Sequence, residues 1–328
     1  MNITTPDIRK NGSDKRGHDM YKWLAILLVV LGIVFAITAV SLLPERIHLH
    51  PAADYGVLVG GVTGILFSLA GLFLLLQNLN DQAKNFVKSQ IESRFVELVR
   101  IQRQNSSEIA IKDKEGKKIF ITLLRELYLC IEVVEGLKAR HQIGDEDILN
   151  LGYLAFFYGA IGPLSEEIIT NKIAKTRYPH LAPELIKAFK EKRKTIARNK
   201  FSYLIFDGHQ SQLGNYFRHL YQSVSYMNEA QYFKYPEKYA SVKMLRAQLS
   251  TQEQILLFFN SISTLGQAWE LDEKIKDDNG KLITKYNLLT NIPQGFVRFA
   301  DPRAIYAGIT FEGMGKSDAR RKLEKRYK

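Results

Sequence analysis

The sequence predicts a mainly α-helical protein: an N-terminal hairpin of two transmembrane helices, followed by an all-α, or nearly all-α, domain on the cytoplasmic side. Residues 23–43 and 55–76 contain no charged side chain. Each run exceeds the roughly 20 residues that a helix needs to cross a hydrocarbon core. After residue 76 the chain becomes polar, and its apolar residues recur at helical spacing. The chain therefore combines a membrane segment with a water-facing helical domain.

The first apolar run has one alternative explanation, a cleavable signal peptide, because Ala39 and Ser41 form a small-x-small site. The run is longer than a usual signal-peptide core and a second run follows, so we expect two spans. The connecting loop, residues 44–54, contains Arg46 as its one Lys or Arg, whereas the segment before the first span is rich in them. These are Arg9, Lys10, Lys15, Arg16 and Lys22. The positive-inside rule then predicts that both termini face the cytoplasm.

Small residues recur at every fourth position of the second span: Gly56, Gly60, Gly64 and Ser68. Such a face allows another helix to approach closely. That helix is either the first span of the same chain or a span of a second protomer, and the spacing alone does not decide between them. Neither span carries an ionisable residue, which argues against an ion-coupled transporter.

Composition divides the 328-residue chain into five segments. We predict a basic cytoplasmic tail (1–22), the hairpin (23–76), a helical stalk that extends the second span (77–112), a helical domain (113–314) and a basic C-terminal tail (315–328). The single cysteine, Cys130, lies in an apolar stretch and is expected to be a buried, inert thiol. Ser250 and Glu253 form a capping box that predicts a helix start.

Two segments are strongly basic: residues 187–200 carry seven basic residues and one acid, and residues 315–328 carry seven and two. Beside an anionic inner leaflet, lipid headgroups are the simplest partner for such charge. Nucleic acid is possible but not favoured, because no nucleic-acid-binding motif accompanies the charge. The predicted basic surface consists of Lys192, Arg193, Lys194, Arg198, Arg320, Arg321 and Lys322.

Residues 207–228 predict a helix with one apolar face, since Leu213, Phe217, Leu220, Val224 and Met227 recur at helical spacing. A polar stripe runs beside this face, formed by Gln212, Asn215, Arg218, His219 and Gln222. A row of amides, an imidazole and a guanidinium could bind a ligand or an anionic group. A polar network between helices is the favoured alternative.

A second polar group lies at the predicted junction of two helices, where Arg246 and Gln248 precede the capping box. We expect these side chains to terminate the first of the two helices by contacting its last carbonyls. A ligand-binding role is the alternative.

Four segments, RFVELVRIQRQN, GHQSQLGNYFRHLYQ, LRAQLSTQEQILLFFN and KLITKYNLL, stand behind the double span. With this arrangement the chain resembles the bacterial putative phage abortive infection family, the AbiC-like proteins, over roughly residues 55–289. The resemblance implies a membrane-associated anti-phage defence protein that arrests or kills an infected cell before phage release. It supplies no catalytic mechanism. Its recurrent positions are candidate functional residues: Gly208, Gly214, Tyr216, Phe217, Arg218, Tyr221, Leu245, Arg246, Gln248, Leu249 and Asn260.

Enzyme motifs are missing from the sequence. GMGKS at residues 313–317 resembles a phosphate loop, but Thr310 stands where a Walker A loop needs glycine. There is no HExxH, no GxSxG and no second cysteine for a zinc cluster, so no cofactor or metal is predicted. Three hypotheses follow. The first is a non-enzymatic membrane effector or sensor that acts through the bilayer, through an oligomer or in response to a phage-derived trigger. The second is a membrane-tethered nuclease or nucleic-acid binder, and the third is a scaffold for partner proteins.

Overall fold

The protein is described from a computed structural model that covers residues 13–41, 49–111, 114–115, 118–196, 201 and 203–327. Its internal contacts divide the chain between Gln90 and Ile91. Both parts are helical, which confirms the predicted fold class. The first part holds helix α1 (Ser13–Ser41) and the beginning of helix α2 (Leu49–Glu108).

Two helices are long and apolar enough to cross a membrane by length and composition, over Met20–Ala39 and within Gly56–Glu108. Within the hairpin, the residues of α1 that face α2 are small. Ala25, Gly32 and Ala39, seven residues apart, are buried. A Cβ atom at Gly32 would lie 2.9 Å from the ring of Phe67, so the close packing of the two helices depends on this glycine.

The glycine face of α2 does not make this contact. A Cβ atom at Gly56, Gly60 or Gly64 would meet nothing within 4 Å, and Ser68 is exposed. Packing of this face against the first span, one of the two alternatives, is therefore not what the structure shows. The small residues that are buried in the hairpin are instead Ala25, Gly32 and Ala39 of α1 and Ala70 of α2.

Helix α2 is continuous for 60 residues, about 90 Å at 1.5 Å per residue. The helix thus continues beyond the apolar run. From Ile91 onwards, the contacts of α2 assign it to the helical domain. Phe95, Gln102 and Ser106 of this part are buried. A short antiparallel pair follows, β1 (Ala110–Ile111) and β2 (Lys114–Glu115).

The helical domain continues with eleven further helices in the described part of the chain. The first five are α3 (Ile119–Glu135), α4 (Lys138–His141), α5 (Asp145–Tyr158), α6 (Pro163–Ile173) and α7 (Ala182–Thr195). The others are α8 (Gln210–Glu229), α9 (Tyr235–Arg246), α10 (Thr251–Ile262), α11 (Leu282–Tyr286), α12 (Pro302–Ile305) and α13 (Asp318–Arg326). Helix α10 begins at the predicted capping box of Ser250 and Glu253.

Helices α3, α5 and α10 form the centre of the core. Gly152 of α5 permits the closest approach, since a Cβ atom there would lie 2.9 Å from the Cα atom of Ile131 on α3. Cys130, also on α3, is fully buried, which confirms the expectation for this thiol. Burial, together with the nearby Glu126, raises its pKa well above the ordinary value, so the thiol stays protonated.

Two glycines let the chain cross itself between α5 and α8. Gly159 (φ +84°) and Gly208 (φ +91°) lie against each other, and a Cβ atom on either would come within 2.5 Å of the backbone of the other segment. Three backbone hydrogen bonds close the crossing: Phe206 O accepts from Ala160 N at 2.8 Å and from Ile161 N at 3.2 Å, and Phe157 O accepts from His209 N at 2.9 Å. This crossing fixes where α8 begins.

Replacement of Gly159 by alanine should destabilise the helical domain. The conformation is nearly restricted to glycine and costs another residue about 1–3 kcal/mol, to which the backbone clash adds. Gly136→Ala is the matched control, because Gly136 has φ −61° and its Cβ atom would meet nothing closer than 3.5 Å. Denaturant unfolding of the detergent-solubilised chain measures both. Equal unfolding free energies for the two variants would contradict the proposed role of the crossing.

Candidate functional site

Helix α8 carries the predicted polar stripe and borders a cleft of the helical domain. The apolar face of α8 is buried as predicted, at Leu213, Phe217, Leu220, Val224 and Met227. With that face in the core, the stripe beside it lies at the boundary between the core and the solvent. The structure then divides the stripe into two environments.

The first environment is a cleft of about 680 Å³ between α8, the end of α5 and the turn that follows α10. Of the predicted polar site residues, Asn215, Arg218 and Asn260 line it, and so do Gly214, Phe217 and Tyr221 of the other candidate positions. The sequence did not single out the aromatic residues beside them, Phe157, Tyr158 and Trp269, as part of a site. A cleft of this size is in the range that holds small-molecule ligands.

Arg218 is exposed at the cleft, and its Nη1 donates to Oδ1 of Asn215 at 3.2 Å. No ion pair within the described residues involves Arg218. Because the acceptor is a neutral amide, the guanidinium keeps its full charge uncompensated at this surface. Such a group can bind a carboxylate or phosphate in bidentate fashion.

Asn260 holds the floor of the cleft in place. Its Nδ2 donates to the hydroxyl of Tyr153 at 3.0 Å, and its Oδ1 accepts from Nε1 of Trp269 at 3.2 Å. The chain passes so close that a Cβ atom at Gly266 would lie 2.2 Å from Asn260 O. The Asn260 side chain is therefore a positioning element of the cleft, since both ends of its amide are engaged by protein groups.

The second environment is a buried polar contact between α8 and α2. Nδ1 of His219 lies 2.9 Å from Oε1 of Gln102, so the neutral imidazole with its proton on Nδ1 donates to the amide. Tyr216, one turn earlier, donates to Oε1 of Glu253 at 2.9 Å, and Ser106 donates to the same oxygen at 2.8 Å. The His219 part of the stripe thus forms an inter-helix network, the alternative that the sequence favoured.

Burial lowers the pKa of His219. The cause is visible in the contacts, because Nε2 is enclosed and has no hydrogen-bond partner within the described part of the chain. A proton added there would place an unpaired cation in a poorly solvated site. His219 is therefore suited to a structural role in its neutral form.

The other predicted site residues lie elsewhere. Gln222 is exposed, Gln212 and Gln248 are half-buried, and none of the three is among the described residues that line the cleft. Arg246 is buried, and its Nη1 donates to the carbonyls of Tyr286 at 3.1 Å and Asn287 at 3.2 Å. The expectation that Arg246 terminates its own helix is therefore corrected, since it terminates α11.

The predicted basic surface is only partly free. Lys192 lies 3.7 Å from Glu132, and Arg193 lies 3.1 Å from Asp207, so acids compensate part of the charge of α7. Lys194, Arg321 and Lys322 are exposed. Arg198 lies outside the described residues, as does most of the basic N-terminal tail.

The assignment of Arg320 to the surface is wrong. Its side chain is 1% exposed because Nη1 donates to the carbonyl of Thr284 at 2.7 Å and Nε pairs with Glu324 at 2.9 Å. Most of the predicted C-terminal tail forms helix α13, and Arg320 lies on the buried face of this helix. Hydrogen bonds from the guanidinium to buried acceptors compensate here for the loss of its solvation.

A buried cluster around Glu126 escaped sequence analysis. Glu126, on α3, is fully buried and lies 2.9 Å from Nε2 of His209. It also accepts from the backbone N–H of Phe206 at 2.6 Å and from the hydroxyl of Tyr203. One signal was available, because Glu126 stands on the apolar face that Leu123 and Cys130 share.

Together these features define a helical protein with two long apolar helices and, in its helical domain, a cleft lined by Arg218 and aromatic residues. Residues 208–297 match the model of the family described as putative phage abortive infection protein. The match confirms the resemblance for this region, whereas the predicted resemblance began at residue 55. All residues that line the cleft fall within it except Phe157 and Tyr158. No curated protein and no solved structure matches the chain.

Replacement of His219 by alanine should reduce stability and anti-phage protection together. Loss of the imidazole leaves Gln102 without its partner, which costs about 1–3 kcal/mol in a buried site. Arg218→Ala is the matched control, since this neighbouring side chain is exposed and should change the unfolding free energy by no more than about 0.5 kcal/mol. Unfolding and protection are measured on the same variants. A stable His219→Ala protein without protection would contradict the structural role.

The same network has a pH signature. The unfolded chain takes up a proton at His219 near the ordinary pKa of 6.5, whereas the folded chain does so only at lower pH. Stability from this group is complete above about pH 6.5 and falls as the pH decreases toward the folded-state pKa. His219→Gln should lose this part of the acid sensitivity, so the difference in unfolding free energy between wild type and variant should change across this interval. A difference that is constant with pH would exclude the effect.

Proposed function

We propose that this protein is a membrane-anchored abortive infection effector or sensor that arrests or kills infected cells without catalysing a reaction. The family match at residues 208–297 is the observation that carries the proposal. The two long apolar helices support attachment to a bilayer. In this proposal the helical domain detects an infection product, and the hairpin perturbs the membrane directly or through a partner.

The proposed location is the bacterial inner membrane, with two spans and both termini in the cytoplasm. The support is the charge asymmetry of the sequence, with basic residues before the first span and Arg46 alone in residues 44–54. Exposed Lys194, Arg321 and Lys322 would then face anionic headgroups, each attracted by about 1 kcal/mol near the surface.

In this proposal the hairpins of several protomers associate into an oligomer. The glycine face of α2, formed by Gly56, Gly60, Gly64 and Ser68, is exposed and has no neighbour from α1 at its glycines. Faces of this kind allow close helix–helix association in lipid. Contact between the glycine faces of several protomers would bring their hairpins together.

Induction of the protein in cells, followed by joint measurement of membrane potential and RNA integrity, tests the mechanism. The proposal expects depolarisation while the RNA remains intact. RNA cleavage at normal membrane potential would instead support the alternative, a membrane-tethered nuclease or nucleic-acid binder. A normal membrane potential together with intact RNA, with protection retained, would support a scaffold for partner proteins.

The topology makes a separate prediction. A reporter fused after Lys328 should be active only when it is a cytoplasmic reporter, because both termini are expected inside. A reporter inserted at Asp54 should show the opposite behaviour and serves as the control. Periplasmic activity of the fusion after Lys328 would overturn the proposed orientation.

Leucine at both Gly60 and Gly64 should abolish self-association and toxicity. The larger side chains prevent close approach of two glycine faces, while leucine still favours insertion into the bilayer. Ile65→Leu is the matched control, since Ile65 is exposed on a different face of α2. Cross-linking in membranes and cell survival are measured. Unchanged assemblies and unchanged toxicity in the double variant would remove the support for an oligomer through this face.

A further inference from the structure

The cleft beside α8 combines features that define a class of ligand. Its charge is one-sided: among the described residues that line it, Arg218 is the one with a formal charge at neutral pH. A second cation stands close by, with Nζ of Lys172 lying 4.8 Å from the ring centre of Tyr158. The cleft therefore favours an anionic ligand over a neutral or cationic one.

The beginning of α8 adds to this preference. Gln210 and Ser211, the first two residues of this 20-residue helix, line the cleft. The N-cap residue, His209, makes no side-chain hydrogen bond to the helix. The first residues of α8 therefore line the same cleft as Arg218, and the positive end of the helix dipole favours negative charge there.

The rest of the lining is aromatic. Trp269 is buried at the floor, and Tyr221 packs against its indole edge to face at a centroid distance of 5.1 Å. Phe157 and Tyr158 also line the cleft, with their rings 5.1 Å apart and nearly perpendicular. Of the four rings, those of Tyr158 and Tyr221 are half-buried, so these two are accessible to a planar group.

Gly214 keeps the cleft open. It lies inside α8, where glycine is an unfavourable helix residue, and a Cβ atom there would meet only Phe157 Cζ at 3.7 Å. A larger residue would therefore fit the helix but would project into the cleft. The absence of a side chain at this position is consistent with a cleft that must admit a ligand.

We propose that this cleft binds a nucleotide, with the phosphate on Arg218 and the start of α8 and the base against the aromatic walls. The inference rests on the proposed function, because it gives the chemical class of the infection product that the helical domain detects. An anionic phosphate and a planar base match the two halves of the lining. The volume of about 680 Å³ leaves room for a mononucleotide.

Calorimetric titration of the detergent-solubilised full chain with AMP, GMP, CMP and UMP tests the proposal. At least one nucleotide should bind saturably, and adenosine and inorganic phosphate should each bind at least about tenfold more weakly than the nucleotide, a difference of 1.4 kcal/mol. Trp269 provides a second signal, since the chain has two tryptophans and Trp23→Phe leaves its fluorescence isolated.

Three variants test the site. Arg218→Gln should weaken binding at least about tenfold, and Gly214→Leu should abolish it. Arg94→Gln is the matched control, because Arg94 is an exposed arginine of α2 that is absent from the cleft lining, and it should bind as wild type does. Circular dichroism verifies folding. Should Gly214→Leu fail to fold, Arg218→Gln and Arg94→Gln still decide the result.

The proposal is overturned if none of the four nucleotides binds at millimolar concentration, or if Arg218→Gln binds as tightly as Arg94→Gln. Nucleotide binding is measured without infection, so its outcome is separate from that of the proposed function. A chain that protects cells but binds no nucleotide refutes the ligand class alone. A chain that binds a nucleotide but neither protects nor depolarises cells refutes the proposed function and leaves the site in place.

Discussion

The helical domain depends on one buried carboxylate, that of Glu126. A charge in an apolar core is costly unless its hydrogen-bonding capacity is filled, and here three donors fill it: Phe206 N at 2.6 Å, His209 Nε2 at 2.9 Å and the Tyr203 hydroxyl. Burial and the adjacent negative charge raise the pKa of Tyr203, which keeps its hydroxyl protonated. The donors all belong to the segment before α8, so α3 holds the start of that helix.

The position of α8 then decides what its polar side chains can do. One side turns Arg218 and Asn215 to the cleft, and the other brings His219 against Gln102 of α2. Helix α2 is the element that also carries the second apolar run. Helix α8 therefore contacts both the cleft and the part of α2 that belongs to the helical domain.

Much of the fold follows from local pattern. The two apolar runs, the buried face of α8, the buried Cys130 and the capping box of Ser250 and Glu253 are all visible in residue spacing, because each depends on neighbours within a turn or two of helix. Part of the candidate site is visible in the same way, since Asn215, Arg218 and Asn260 were selected and line the cleft. Phe157, Tyr158 and Trp269 were missed because the sequence pattern of an aromatic residue is the same in a cleft and in a core.

The sequence by itself determined which segments are helices, which are apolar enough for a bilayer and which residues lie on one face. Only the tertiary structure decided which polar group meets which. Arg246 and Arg320 illustrate the limit. Arg246 stands at a predicted helix end and Arg320 in a basic segment, yet both are buried and donate to the last carbonyls of α11. Helix α11 has five residues, so most of its carbonyls lack partners within the helix. Donors for them come from 36 and 40 residues away, and no local spacing can encode such a pairing.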